Sequence, residues 1–262
     1  MNYQRNLQQF FDQINYEEYI QKLNPPDIDR LLEQSSRFTS KDVFQVNQAI
    51  PILLGENGIK TIVDVVSNEM ASLKTNESTS ILNVGSAIHV FLNPITQKIR
   101  NMLPNPKFFA LDVTPAILIS LVSSVPDIMP IVGVTENILE SVKENQKFMN
   151  IPDKFDGIFS ILLLHHCPSV DRAISNFYDA LNPGGKAIVL DLCKHEFPEV
   201  FHEEEEMLDH PFADRHPGFE LDMISDVAKN YFSTVEVKRL EGIKLTSDGK
   251  STDLFLAIMK KD

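Results

Sequence analysis

His165 and His166 stand side by side just after the longest apolar run in the chain, residues 158–164, which only Ser160 interrupts. Imidazole is the side chain whose ordinary proton equilibrium lies nearest neutrality. A histidine at that point could therefore take a proton from a hydroxyl or an amine. The plainer reading is a loop histidine bonded to backbone. His195 follows shortly after Asp191 and is a second candidate for contact with a substrate. Cys167 and Cys193 could serve as thiol nucleophiles, but packing beside strand ends is the reading preferred here. His202, residues 203–206 (all Glu), Asp209, His210, Asp214 and His216 form an acidic, His-bearing segment. It could bind a metal or a cationic substrate. Such a run is more often a solvated helix face, and His-Glu-x-x-His is absent, so no metal is expected.

The elements that must position these residues follow from the apolar pattern. Residues 81–84, 108–111, 130–134, 157–164 and 187–190 are short continuous apolar runs, with helical stretches between most of them. Such runs separated by crossovers imply a parallel sheet covered on both faces. Residues 234–238 alternate, residues 253–259 close the chain, and Ser247-Asp248-Gly249 lies between them. That reads as an antiparallel hairpin. Residues 1–75 read as helical, with Leu7, Phe10, Phe11, Ile14 and Tyr19 on one face. Pro25-Pro26 ends that segment. Residues 27–34 suit a short helix. Ser40 caps another that runs toward Ile50, Gly55 and Gly58 mark a break, and residues 59–73 are helical again. The polar stretch 74–80 reads as a linker. The expected organisation is a helical region, 1–75, and a sheet domain, 81–262.

Bulk properties limit the function classes. The chain has 262 residues, 43% of them hydrophobic and 23% charged, which suits a globular fold with a full core. Its 24 basic and 37 acidic residues give a net charge of −13, which argues against a protein built to wrap nucleic acid. Two cysteines exclude a disulfide scaffold and fit a cytoplasmic setting. The first residues lack a secretory pattern, and no run is long enough to span a bilayer.

In a doubly wound sheet, ligands bind beyond the carboxyl ends of the strands. The residues there are Asn83-Val84-Gly85-Ser86-Ala87-Ile88-His89, Asp112-Val113, Thr135-Glu136, His165-His166-Cys167 and Asp191. Asp112, at a strand end, can accept both ribose hydroxyl protons. The alternative is a cap on the next helix, with Thr114 and Pro115. The strand order, the run from Phe155 to His165-His166, the turn Leu181-Asn182-Pro183-Gly184-Gly185 and the stretch 212–219 resemble class I S-adenosylmethionine-dependent methyltransferases over residues 81–260. The nearest likeness is to small-molecule enzymes of the ubiquinone/menaquinone-biosynthesis type.

The resemblance implies an α/β fold: a Rossmann-like sheet of five parallel strands plus a C-terminal antiparallel hairpin, here with an N-terminal helical extension. It implies S-adenosyl-L-methionine as cofactor and a small organic acceptor. Asn83, Gly85, Ala87, Asp112, Val113, Thr135, Glu136 and Ser160 are then expected at the cofactor, and His165, His166 and His195 at the acceptor. The N-terminal helices and residues 197–219 would close over the substrate, or the helices would form a homodimer. The chain's 17 Phe residues make an aromatic-lined pocket a natural expectation. The sequence departs from the family at the glycine loop. Asn83 replaces an acid, and Ala87 and His89 replace glycines where backbone must approach the ligand. That departure motivates a second reading, a catalytically degenerate subunit acting through protein partners. A nicotinamide-dependent dehydrogenase is a third, which the terminal hairpin disfavours.

Overall fold

The computed structural model describes residues 3–73, 78–125, 127–195, 217–247 and 249–262. Four helices come first: α1 (Tyr3–Gln13), α2 (Tyr16–Leu23), α3 (Ile28–Arg37) and α4 (Ser40–Ala71). Strands and helices then alternate: β1 (Ser80–Val84), α5 (His89–Arg100), β2 (Lys107–Asp112), α6 (Pro115–Ser124), β3 (Ile128–Val132) and α7 (Ile138–Asn145). They continue as β4 (Phe155–Ile161), α8 (Val170–Ala180), β5 (Leu181–Leu192), α9 (Leu221–Lys229), β6 (Thr234–Ser247) and β7 (Lys250–Lys260). The strands form one sheet in the order β3-β2-β1-β4-β5-β7-β6. Neighbours among the first five are parallel, and β7 runs antiparallel to both β5 and β6. The expected five-plus-two sheet with a helical N-terminal region is therefore present.

The apolar runs are continuous because both faces of the sheet are covered. Ile81, Phe108, Phe159 and Ile188 pack on one side with Phe10, Ile62, Phe91 and Leu118 from α1, α4, α5 and α6. Leu82, Phe109, Ile158 and Ala187 pack on the other with Val142, Phe177 and Ile224 from α7, α8 and α9. Adjacent residues on each strand thus serve opposite cores, as the pleat requires.

Several boundaries differ from the sequence pattern. β4 ends at Ile161 because Leu162 takes a left-handed φ of 53°, so His165 and His166 sit in a short 3-10 turn (Leu164–His166) beyond the strand. Strands β6 and β7 are longer than their apolar cores and close at Ser247 and Lys250 in a tight hairpin. The break at Gly55 is a kink inside α4, where φ is 65°, whereas Gly58 is packed against Leu54 within the helix. The cap of α4 is Thr39, not Ser40. The backbone N–H of Thr39 donates to the carboxylate of Asp42 at 2.7 Å. Residues 74–77, and the part of the expected closing segment and acidic His-bearing run that falls within 196–216, lie outside the described residues. Among the described residues no helix is long and apolar enough to cross a membrane.

Helix α2 is tied to the carboxyl ends of two strands. The Tyr16 hydroxyl donates to the carbonyl of Val113, just after β2, and the Ser35 hydroxyl donates to Tyr16 at 2.7 Å. Buried Tyr19 donates to the carbonyl of Val132, the last residue of β3, and accepts from Asn145. Burial pushes both phenols well above their usual range, so both remain donors at any working pH. Lys22 also pairs with Glu144, and Asn137 donates to the carbonyl of Leu23 at 2.8 Å. Replacing Tyr19 by Phe is expected to lower global stability by about 1 kcal/mol, measured by urea unfolding, without altering the far-UV spectrum.

Candidate active site

The strand order reverses between β1 and β4, and a cavity of about 430 Å³ opens at the carboxyl ends there. That is within the range of small-molecule sites. Gly85 and Ala87 after β1, Asp112 and Val113 after β2, and Thr135 and Glu136 after β3 line it. Leu162, Leu163, His165 and His166 line it after β4. Leu31 and Phe38, from α3 and its end, and Val46, Ile50 and Leu53 from α4 supply an apolar roof.

Gly85 is required by its geometry. Its φ is 77°, and a Cβ there would lie 2.8 Å from the Leu163 side chain. Ala87 fits with its methyl group at the cavity wall, and its carbonyl accepts from Asn47 of α4 at 2.8 Å. The same Asn47 accepts from the backbone N–H of Val90 at 3.0 Å, so α4 holds the loop and the start of α5 together. His89 does not obstruct the cleft. It is the first residue of α5, its ring bonds to the backbone of Ser86, and it lines a separate groove between α4, α5 and α6. Burial pushes it down to about 4, so no charge stands beside the loop near neutral pH.

Asp112 joins the glycine loop to the β2 end. One carboxylate oxygen accepts from Ser86 N–H at 2.7 Å and the other from Thr114 N–H at 2.9 Å. The Val113 N–H and the Thr114 hydroxyl also act on this carboxylate, which lines the cavity. Burial raises its pKa to about 6 against these opposing backbone donors. Because this exceeds the ordinary 3.8, its stabilising contribution is complete in acid and is lost as pH rises through about 6. A ligand that donates hydroxyls to the carboxylate offsets that loss.

Two expected cofactor contacts stand behind the cavity wall. Asn83 is 2% exposed, donates to the Phe159 carbonyl at 3.3 Å and accepts from the Ser86 hydroxyl at 2.9 Å. Its amide braces β1 on β4. Ser160 lies within β4, one residue before the strand reaches the cavity at Ile161. Its buried hydroxyl finds no hydrogen-bond partner among the described residues.

The histidines separate into distinct roles. His165 Nδ1 lies 2.6 Å from Asp191 Oδ1, and both side chains are buried. Asp191 also accepts from Leu164 N–H at 2.6 Å and Leu192 N–H at 2.7 Å. A carboxylate that serves backbone donors as well draws a ring proton to Nδ1. The His166 ring lies tilted against that of His165, at 47°, with centroids 4.0 Å apart. His195 is not among the described residues that line the cavity. The chain after β5 pairs with residues 217–219, through Lys194 N–H to the carbonyl of Phe219 and His195 N–H to that of Pro217. The sequence reading missed Asp191 as that partner, although parallel neighbours β4 and β5 end side by side with Ile161 opposite Leu190. It also missed Asn47 and Tyr16, which no motif marks. Among the described residues no cluster of three His, Cys, Asp or Glu side chains could hold a metal ion.

Comparison with known proteins gives a consistent picture. A family model described as a methyltransferase domain matches residues 54–226. No curated protein sequence matches. Among solved structures, phosphoethanolamine N-methyltransferase 2 of Haemonchus contortus, in complex with S-adenosyl-L-methionine, is similar with a TM-score of 0.57 and 14% identity over 86% of this chain. The chain spans 58% of the length of that protein. The N-methyltransferase NodS of Bradyrhizobium japonicum WM9 is similar with a TM-score of 0.52 and 14% identity, covering 79% of this chain and 98% of its own. At such identities the likeness is one of fold.

Proposed function

The chain belongs to the methyltransferase-domain family, and from that premise we propose that it transfers a methyl group from S-adenosylmethionine to a small organic acceptor. The observation that carries the reading is Asp112. It is a strand-end carboxylate in the wall of the cavity at the switch point of the sheet, where Gly85 also lies. The residues present fit the cofactor's nucleoside. Asp112 would hold the ribose hydroxyls, Val113, Thr135 and Glu136 the adenine side, and Gly85 and Ala87 the backbone approach. When bound, the cofactor supplies a methyl group on a sulfonium whose carbon–sulfur bonding pair stays with sulfur as the new bond to the acceptor forms.

The protein's own contribution is positional. α3 and α4 roof the cavity and exclude water, which strengthens the electrostatics inside. They act as the lid of a sheet domain that begins at β1. His165, oriented by Asp191, takes the acceptor's proton at Nε2. His166, tilted against it, shapes the wall beside it. The departures at Ala87 and His89 leave the seat intact in this reading, so the degenerate alternative is not needed.

The carboxylate form of Asp112 is the form that accepts two hydroxyls. Affinity for S-adenosylhomocysteine is therefore expected to fall by about tenfold between pH 7 and pH 5, as protonation removes that form below about 6. Calorimetric titration across this range is the test. A flat profile would remove Asp112 from the site.

A further inference from the structure

We propose that the groove between α4, α5 and α6 is a second small-molecule site, which takes an uncharged aromatic compound that donates one hydrogen bond to His89. The groove holds about 540 Å³ and is separate from the cavity at the strand ends. Val43, Phe44, Val90, Pro94 and Val125 give it apolar walls. His89 lines it as well and is only 8% exposed. Nε2 of that ring is buried without a hydrogen-bond partner among the described residues. The ring's bond to the Ser86 backbone is therefore made by Nδ1. It favours the protonated ring, which makes Nδ1 the donor. Burial keeps the ring neutral near pH 7, so Nε2 carries a lone pair.

A buried acceptor left unpaired is costly, and a donor brought in by a ligand satisfies it. The walls decide the rest of the ligand. A flat ring buries its carbon surface against them, and an uncharged O–H or N–H keeps the cost of leaving water low. Phe44, 64% exposed, is the loosely held wall: it can turn aside to admit the ring and then pack on it. His89 stands where the family resemblance expects a glycine, so this nitrogen is one the chain has added beside the glycine loop. Asn47 lines the groove too, donating to the Ala87 carbonyl at 2.8 Å and accepting from Val90 N–H at 3.0 Å. A ligand in the groove thus rests on the side chains that tie α4 and α5 to that loop. Binding there is independent of methyl transfer, so the free full chain serves for the test.

Phenol and toluene are matched probes, alike in shape, of which only the first is a donor. The chain is labelled with nitrogen-15 in its histidine rings and carbon-13 in its valine methyls. The Val90 methyl resonances then report occupancy of the groove by either probe. At neutral pH, phenol is expected to saturate that shift with about tenfold tighter affinity than toluene. It is also expected to move the His89 Nε2 resonance upfield, which toluene does not. His89→Phe is expected to abolish the advantage of phenol. The two probes compared in the parent protein decide the matter even where that variant folds poorly. No saturable Val90 shift with either probe overturns the site. Equal affinities, or phenol binding that leaves the Nε2 resonance in place, overturn the hydrogen bond to His89 and the ligand class with it. An Nε2 resonance already at its hydrogen-bonded position in the free chain assigns that nitrogen to a trapped water and overturns the proposal as well.

Discussion

Asp112→Asn is expected to weaken S-adenosylmethionine binding by roughly 100-fold, because two hydrogen bonds to a charged acceptor contribute about 1.5–3 kcal/mol each and the amide can replace only part of one. The geometry makes the loss specific. Both carboxylate oxygens already accept from backbone, Ser86 N–H at 2.7 Å and Thr114 N–H at 2.9 Å. An asparagine must turn its NH2 toward one of those donors, so it disturbs the glycine loop as well as losing its charge. The two effects are separated by melting the free protein. The loop effect lowers the transition of the apo form, whereas the lost ribose contact appears only as a smaller shift on adding ligand. Affinity within about threefold of the parent would place the nucleoside elsewhere.

The second large effect is expected at Asp191. Asp191→Asn should reduce the rate of methyl transfer to an acceptor that must lose a proton by about 10²–10⁴-fold, with cofactor affinity nearly unchanged. Asp191 accepts from Leu164 N–H, Leu192 N–H and His165 Nδ1. An amide has a single acceptor oxygen, and its NH2 facing the ring would move the imidazole proton from Nδ1 to Nε2. The base would then be lost though the side chain remained in place. Nitrogen-15 spectra of the His165 ring report that tautomer directly, a signal that a merely structural role would not move. A parent-like rate with an inverted tautomer would show that proton removal at His165 is not needed.

The sheet was legible because each strand is buried on both faces. Ile81, Leu82 and Val84, or Ile158, Phe159 and Ile161, put apolar side chains on both faces, and each run is broken by one polar residue, Asn83 or Ser160. The hairpin was legible from the alternation at residues 234–238. Strand ends were less so. An apolar side chain at Leu162 or Leu163 serves a cavity wall as readily as a strand, and only backbone dihedrals reveal that β4 has stopped. In the site, Gly85, Ala87, Asp112, Val113, Thr135, Glu136, His165 and His166 all fall on the cavity, because strand-end positions in this topology converge. Asn83 and Ser160 do not line it, because they lie within strands, where the pleat decides the direction of a side chain. The partnership of His165 with Asp191 joins residues 26 apart and needed the pairing of β4 with β5 to be seen. Tyr16, Tyr19 and Asn47 were invisible for another reason. Their bonds go to backbone carbonyls at distant strand ends and loops, which carry no sequence signature.

The central claim is that the cleft at the β1–β4 switch point is a working S-adenosylmethionine site despite Asn83, Ala87 and His89. Isothermal titration of the full chain with S-adenosylmethionine tests it most directly. The expected result is saturable micromolar binding of one molecule per chain that the Asp112→Asn variant largely loses. No heat of binding, in protein whose cooperative melting transition shows it to be folded, would contradict the account.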